Sequence, residues 1–261
     1  PKLSGQQYSK HYFKDIFEKK YPNEKILYDI PDSYYDLSID ERQEKITDII
    51  IDTVSKVMDI DRTKVKFLDH HTCHIMYAYY ANINKMEKTI GVTVDAYGDE
   101  CNQTVWMINK DKFKLIAKSR QCEIAALYKM ITLYLRMKPL EHEYKVMGLA
   151  PYSKDFYAKA VEDDLDDLLQ FDDLKIVHKN RPDNLYEFLQ DKFKCHRFDN
   201  IAGGVQRYTE KMLVELFTRS YKKLDCKNFV FSGGVAMNVK ANKVIGDLPF
   251  VDNFFVAGSS S

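Results

Sequence analysis

Two histidines four residues apart, His70 and His74, are the part of this sequence best suited to chemistry. On a helix that spacing puts both imidazoles on one face, with Cβ atoms about 5–6 Å apart, a chelating arrangement. His71 stands where an HExxH helix carries its general-base glutamate, so the segment is not a zinc-protease motif. Further ligands must come from another element, and a carboxylate closing a neighbouring strand is the natural supplier. Asp95, with Gly98 close behind, meets that requirement and reads equally well as a turn-former. A second candidate is Ser232-Gly233-Gly234-Val235-Ala236-Met237-Asn238, between a strand and a helix, where backbone N–H groups could approach a phosphate or ribose or simply pack strand on helix. A third runs from Glu143 to Tyr152, with Lys145 near its head and a Gly148…Pro151 close. That lysine could reach an anionic substrate or be solvated, as most lysines are.

The elements around these residues follow from periodicity. Tyr8, Tyr12, Phe13, Ile16 and Phe17 predict a short helix stopped by Pro22. Ser38 and Glu41 form a capping-box pattern opening a helix whose buried stripe is Ile46, Ile49, Ile50, Val54 and Val57. A brief strand at Val65–Leu68 leads into the histidine helix, which runs through Tyr80. From Thr89 the period changes to two, predicting strands at Ile90–Asp95, Thr104–Ile108 and Phe113–Ala117 in an antiparallel meander. A helix over Ile124–Leu135 follows. The stretch Ala160–Leu174 holds seven acids and no base, which reads as a solvated helix face. A long helix striped by Ile201, Val205, Tyr208, Met212 and Leu216 contains Gly203-Gly204, a sign of close backbone packing. A strand at Asn228–Phe231, a helix at Val235–Lys243 and a strand at Phe250–Val256 close the chain. This order predicts an α/β fold of the ribonuclease-H-like type, a meander extended by parallel strands through crossover helices.

Composition narrows the function. The 261 residues carry 39 basic and 39 acidic side chains, a balance that argues against nucleic-acid binding by phosphate neutralisation. No run approaches the roughly 20 apolar residues of a membrane helix. Five scattered cysteines with no CxxC pair fit free thiols in a reducing compartment, and no secretory leader is visible, so the expected location is cytoplasmic.

Four segments, in order, resemble one family. His70-His71-Thr72-Cys73-His74 is similar to its HHLAH motif, Val94-Asp95-Ala96-Tyr97-Gly98 to its LDGxG, Tyr144 to Tyr152 to its YKVMGLAPY, and Ser232 to Asn238 to its GGVALN. The family is that of the nodulation-protein-U type O-carbamoyltransferases, related to the tRNA threonylcarbamoyl-adenosine synthesis proteins. The resemblance covers roughly residues 65–256.

It implies an actin-like ATPase fold with an Fe(II)-type divalent metal site and a nucleotide site. It also implies formation of carbamoyl adenylate from carbamoyl phosphate and ATP, with a YrdC-type domain in the full-length chain, and transfer of the carbamoyl group to a hydroxyl of a small-molecule acceptor. His70 and His74 match the family's metal-binding histidines, and Asp95 falls where a further ligand or phosphate contact is expected. Gly233, Gly234 and Asn238 match the adenylate-binding loop, and Lys145 a phosphate contact. The domains expected are 1–88, a helical remnant of a first actin-like half with the metal-binding helix, and 89–261, a second half with a helical insertion at about 139–197. The family's N-x-x-H-D-A-S strand, source of the general-base histidine, has no counterpart here, nor does its later Gly-Asp-Gly-like turn. The sequence therefore reads as a fragment, with that histidine expected before Pro1. A threonylcarbamoyl transferase acting on tRNA and a non-catalytic actin-like scaffold are the alternative readings.

Overall fold

A computed structural model describes residues 30–99, 101–258 and 260. The helix expected over Tyr8–Phe17 lies outside the described residues. Packing divides the chain between Leu68 and Asp69. The histidine helix therefore goes with the sheet that follows it rather than with the segment ahead of residue 88.

In the first unit, helix α1 (Ile39–Met58) opens on the expected capping box: the Ser38 hydroxyl accepts from the Glu41 amide and the Glu41 carboxylate accepts from the Ser38 amide. It ends at Asp59 in the left-handed conformation, one of the few non-glycine residues that tolerates it. The stripe expected to be buried is only half-covered within this unit, and Val57 is exposed. Arg62 bridges Asp48 and Asp52 at the surface, a contact of small energetic weight. Val65–Leu68, predicted as a strand, forms no ladder among the described residues; it is chain that follows a 3-10 turn at Arg62–Lys64.

The second unit starts with α2 (His70–Ala81) and then β1 (Lys88–Gly98), β2 (Cys101–Asn109) and β3 (Lys112–Ser119). The β2–β3 turn uses Lys110 and Asp111, both at positive φ, the two-residue geometry that matches strand twist. Helices α3 (Ile124–Tyr134), α4 (Glu143–Leu149) and α5 (Asp155–Leu165) follow, then a hairpin of β4 (Leu169–Asp172) and β5 (Lys175–His178), and α6 (Leu185–Phe193). The long α7 (Phe198–Leu224), β6 (Asn228–Ser232), α8 (Val239–Gly246) and β7 (Asn253–Val256) complete it. The main sheet runs β3-β2-β1-β6-β7, antiparallel through the meander and parallel from β1 to β7. The meander strands are where the period-two pattern put them; β6 lies where a strand was expected, and β7 starts at Asn253, three residues later than expected.

Both faces of this sheet are covered, so β1 is buried along most of its length. On one face Ile90, Val92, Phe229 and Phe231 join α3 and α7 in the main core, where the Phe217 ring meets Phe229, Phe231 and Phe254. On the other, Ile75, Ala78 and Tyr79 of α2 pack on Ile108 and Val230. Six of the seven acids of Ala160–Leu174 lie on a solvated, ion-paired surface, where Lys211 meets Asp166 at 2.7 Å; the seventh, Glu162, is buried and is met by Arg207 at 3.0 Å. The stretch is nevertheless not all helix, because it runs into the β4–β5 hairpin. Buried Gln103 docks that hairpin on the sheet, donating to the Leu174 carbonyl and accepting from the Ile176 amide. The region 139–197 thus mixes helices with a hairpin.

Gly203 and Gly204 face α5 at the close approach their type predicts. A Cβ on Gly204 would lie 2.3 Å from the Val161 Cβ and 2.8 Å from the Ala158 carbonyl oxygen. Gly204→Ala should therefore lower stability by about 1–2 kcal/mol in chemical denaturation despite the better helix propensity of alanine, because the opposing contact is partly backbone. A more stable variant would show that the two helices can separate freely.

Candidate metal centre and adjoining cleft

Helix α2 begins at His70 because its first turn is capped twice. The Asp69 carboxylate accepts from the Thr72 amide at 3.0 Å, and Asp99, from beyond the end of β1, accepts from the His70 amide at 2.6 Å. The four-residue spacing then brings the two imidazoles together, with ring centroids 4.4 Å apart. Their Nε2 atoms are 2.8 Å from each other and lie 2.6 Å (His70) and 3.0 Å (His74) from the same Asp95 oxygen, Oδ2.

Asp95 is aimed at them by an irregularity in β1. Pairing with β2 slips between Val94 and Gly98, and the bulge turns the carboxylate out of the ladder. Its other oxygen, Oδ1, accepts from the Ala96 amide at 2.7 Å and the Gly234 amide at 3.1 Å. Burial alone would push this carboxyl upward, but the hydrogen bonds from His74, His70 and the two amides outweigh it and hold the group well below the usual carboxylate range. Asp95 is therefore an anion at any ordinary pH.

The donor set fits a divalent cation. One carboxylate oxygen and two imidazole nitrogens converge, all within 4.8 Å of one another, and nitrogen–oxygen sets of this kind suit Fe(II), Zn(II) or a similar ion. Three protein ligands leave coordination positions for solvent or substrate. His74 has its Nδ1 3.5 Å from the Ser232 hydroxyl, which orients the ring from behind.

His71 has a different task. It is buried, with Nδ1 2.7 Å from the Thr93 hydroxyl and Nε2 3.0 Å from the Cys101 carbonyl. Trp106 Nε1 donates to Thr104, and Thr104 contacts Thr93. An indole N–H only donates and a carbonyl only accepts, so the protons of this wire are ordered throughout: Trp106 to Thr104 to Thr93 to neutral His71 to Cys101. Burial pushes the His71 imidazole down, in keeping with the neutral form. His71→Leu should cost about 2–4 kcal/mol by leaving a hydroxyl and a carbonyl unpaired, with the stoichiometry of bound metal unchanged in elemental analysis. Loss of the metal would instead make His71 part of the centre.

The diglycine bend meets the histidine cluster. Gly233 has φ +95, and a Cβ there would lie 2.4 Å from the Val94 carbonyl oxygen; its amide donates to the Ser260 carbonyl at 2.9 Å. Next to it, Gly234 N–H holds Asp95. Asp95 and Gly234 border a cleft of about 470 Å³, whose walls also include Tyr128, Met147 and Asn238. That volume suits a nucleotide-sized ligand.

Asn238 caps α8, its oxygen accepting from the Ala241 amide and from Gln206 Nε2 while its amide donates to Gln206 Oε1. Gln206 also accepts from the Tyr128 hydroxyl at 2.9 Å, so one buried glutamine ties two cleft walls together. Lys145 is exposed on α4, its ammonium over the Tyr144 ring, and is not among the residues bordering the cleft, whereas Tyr144 and Met147 are. The structure thus places Asp95, Gly234 and Asn238 on the cleft, with His70 and His74 joined to it through Asp95, Gly233 shaping the bend and Lys145 outside. Tyr128, Gln206 and Asp99 were not legible in the sequence as site residues, whereas Ser232 opens the diglycine motif already singled out. Tyr128 read as a member of a helix stripe.

The chain belongs to the family described as carbamoyltransferase N-terminus, whose profile matches residues 6–259. It is similar to the uncharacterized protein MJ1058 of Methanocaldococcus jannaschii, 25% identical over 70% of this chain and 33% of that protein. It is similar also to MJ1051 of the same organism, uncharacterized too, at 28% over 72% of this chain and 37% of that protein. The nodulation protein NolNO of Sinorhizobium fredii is 21% identical over 70% of this chain and 27% of that protein. The chain spans about a third of the length of these relatives. No helix among the described residues is long and apolar enough to cross a membrane.

Proposed function

We propose that this protein is the actin-like part of a cytoplasmic, ATP-dependent O-carbamoyltransferase that moves a carbamoyl group from carbamoyl phosphate, by way of carbamoyl adenylate, to a hydroxyl of a small molecule. The observation that carries the reading is the hydrogen bond from Gly234 N–H to Asp95 Oδ1, 3.1 Å, which joins the metal-type cluster to the wall of a nucleotide-sized cleft. The sheet order, an antiparallel meander continued by two parallel strands, supports the actin-like assignment.

In this reading His70, His74 and Asp95 hold an Fe(II)-like ion. When bound, that ion supplies positive charge beside the phosphate of an adenylate. Asp95 stays ionised and keeps both imidazoles turned inward. The Gly233-Gly234 bend presents the amide that holds Asp95 at the cleft wall, and the Tyr128 hydroxyl, pushed up by burial, remains protonated and donates to Gln206. Met147 and Tyr128 provide apolar surface for a base. In transfer, the acceptor oxygen bonds to the carbamoyl carbon, the carbon–oxygen bond to the phosphate breaks, AMP departs with the electron pair, and the hydroxyl proton passes to a base contributed from elsewhere in the full-length protein. Holding the two reactants together supplies much of the acceleration. A YrdC-type domain is the expected source of the adenylate.

The direct test is carbamoyl-phosphate-dependent conversion of ATP to AMP and pyrophosphate by the full-length protein supplied with Fe(II). Turnover that requires all three supports the proposal. Its absence with metal bound overturns it.

A further inference from the structure

We infer that Gly98 and Asp99 are positioning residues for His70, a corner of backbone built to hold the most exposed ligand of the centre in place. The inference rests on the reading of His70, His74 and Asp95 as a metal site and goes beyond it by assigning the residues that set its geometry.

The His74 side chain is 11% exposed and is fixed by its surroundings; that of His70 is 40% exposed, so packing does not hold it. Two other features do. The His70 side chain packs against the backbone of Gly98: a Cβ there would be 2.1 Å from His70 Cδ2, 2.3 Å from Cγ and 2.8 Å from Cβ. Gly98 is not in the left-handed region, so the requirement is for space alone, and the atoms in the way all belong to the ligand. One residue on, Asp99 adopts φ +49, a conformation aspartate tolerates, and its carboxylate takes the His70 amide at 2.6 Å across 29 residues of sequence. The ring is thus seated from below by Gly98 while the backbone that carries it is pinned by Asp99. The bulge that aims Asp95 ends at this same Gly98, where pairing with Cys101 resumes. One irregularity of β1 therefore presents one ligand and seats another.

The test is Co(II) titration of the full chain by calorimetry and by visible absorption. Gly98→Ala and Asp99→Ala should each weaken binding about 10–100-fold, the usual cost of removing a supporting partner, and move the d–d bands toward those of His70→Ala. Asp99→Asn, which keeps an oxygen for the His70 amide, should bind close to the wild type. Gly98→Ala combined with His70→Ala should bind no more weakly than His70→Ala alone. Wild-type affinity and spectrum in Gly98→Ala, or a further loss in the double variant, would overturn the inference. Should Gly98→Ala fail to fold, the contrast between Asp99→Asn and Asp99→Ala decides: equal loss in both rejects the role. Failure of the underlying reading looks different, because then the wild type itself binds no Co(II).

Discussion

Asp95→Asn should lower the affinity for Fe(II) or Co(II) by more than about 100-fold while the metal-free protein stays folded. The substitution is close to isosteric, and its two ends separate the two jobs of the side chain. The Oδ1 position can still accept from the Ala96 and Gly234 amides, so the bend at Gly233-Gly234 keeps its anchor. The Oδ2 position becomes an NH2 group facing two imidazole nitrogens, which removes a ligand atom and its negative charge together. Loss of a supporting partner at metal sites costs about 10–100-fold, and loss of an anionic ligand exceeds that. Titration with Co(II), paired with circular dichroism of the metal-free protein, checks both halves. Retained affinity would mean that the carboxylate is structural only, and the centre would then have to be sought elsewhere.

Gly233→Ala is expected to act on the fold itself. The residue sits at φ +95, where an L side chain is strained by about 1–3 kcal/mol, and the added carbon would lie 2.4 Å from a backbone oxygen that cannot rotate away. A total near 3 kcal/mol corresponds to a fall in Tm of about 6–12 °C for a unit of this size. The displaced backbone would carry the Gly234 amide away from Asp95, so metal affinity should fall as well. A variant with unchanged Tm would show that the bend is not held between Val94 and Ser260 as described.

The centre was legible in proportion to how local its geometry is. The His70–His74 pair needs only a helix, and helical spacing states it. Asp95 needed more: strand end and turn-former were equally good readings until the two-residue slip in pairing with β2 showed the carboxylate leaving the ladder. The glycine bend was visible by type, but its contact with Asp95 joins positions 139 apart in sequence and has no local signature. Tyr128 was hidden because a polar group on an apolar helix stripe reads as packing until its partner is known, and Gln206, its partner, carries no local signature at all. Lys145 shows the converse, a motif residue whose neighbours Tyr144 and Met147 face the cleft while it points to solvent. Among the elements, the meander followed from period two. The β4–β5 hairpin was lost within the acidic stretch because four-residue strands give too few alternations to register.

The divided use of one carboxylate makes the two halves of the site cooperative by construction. In the proposed reading Oδ2 serves the cation and Oδ1 the bend, so an occupant of the cleft that strengthens or loosens the Gly234 contact would alter the charge offered to the ion. Thermodynamic reciprocity then requires the ion to change the affinity of that occupant by the same factor. Saturation curves for either should therefore shift when the other is added, with equal ratios in both directions.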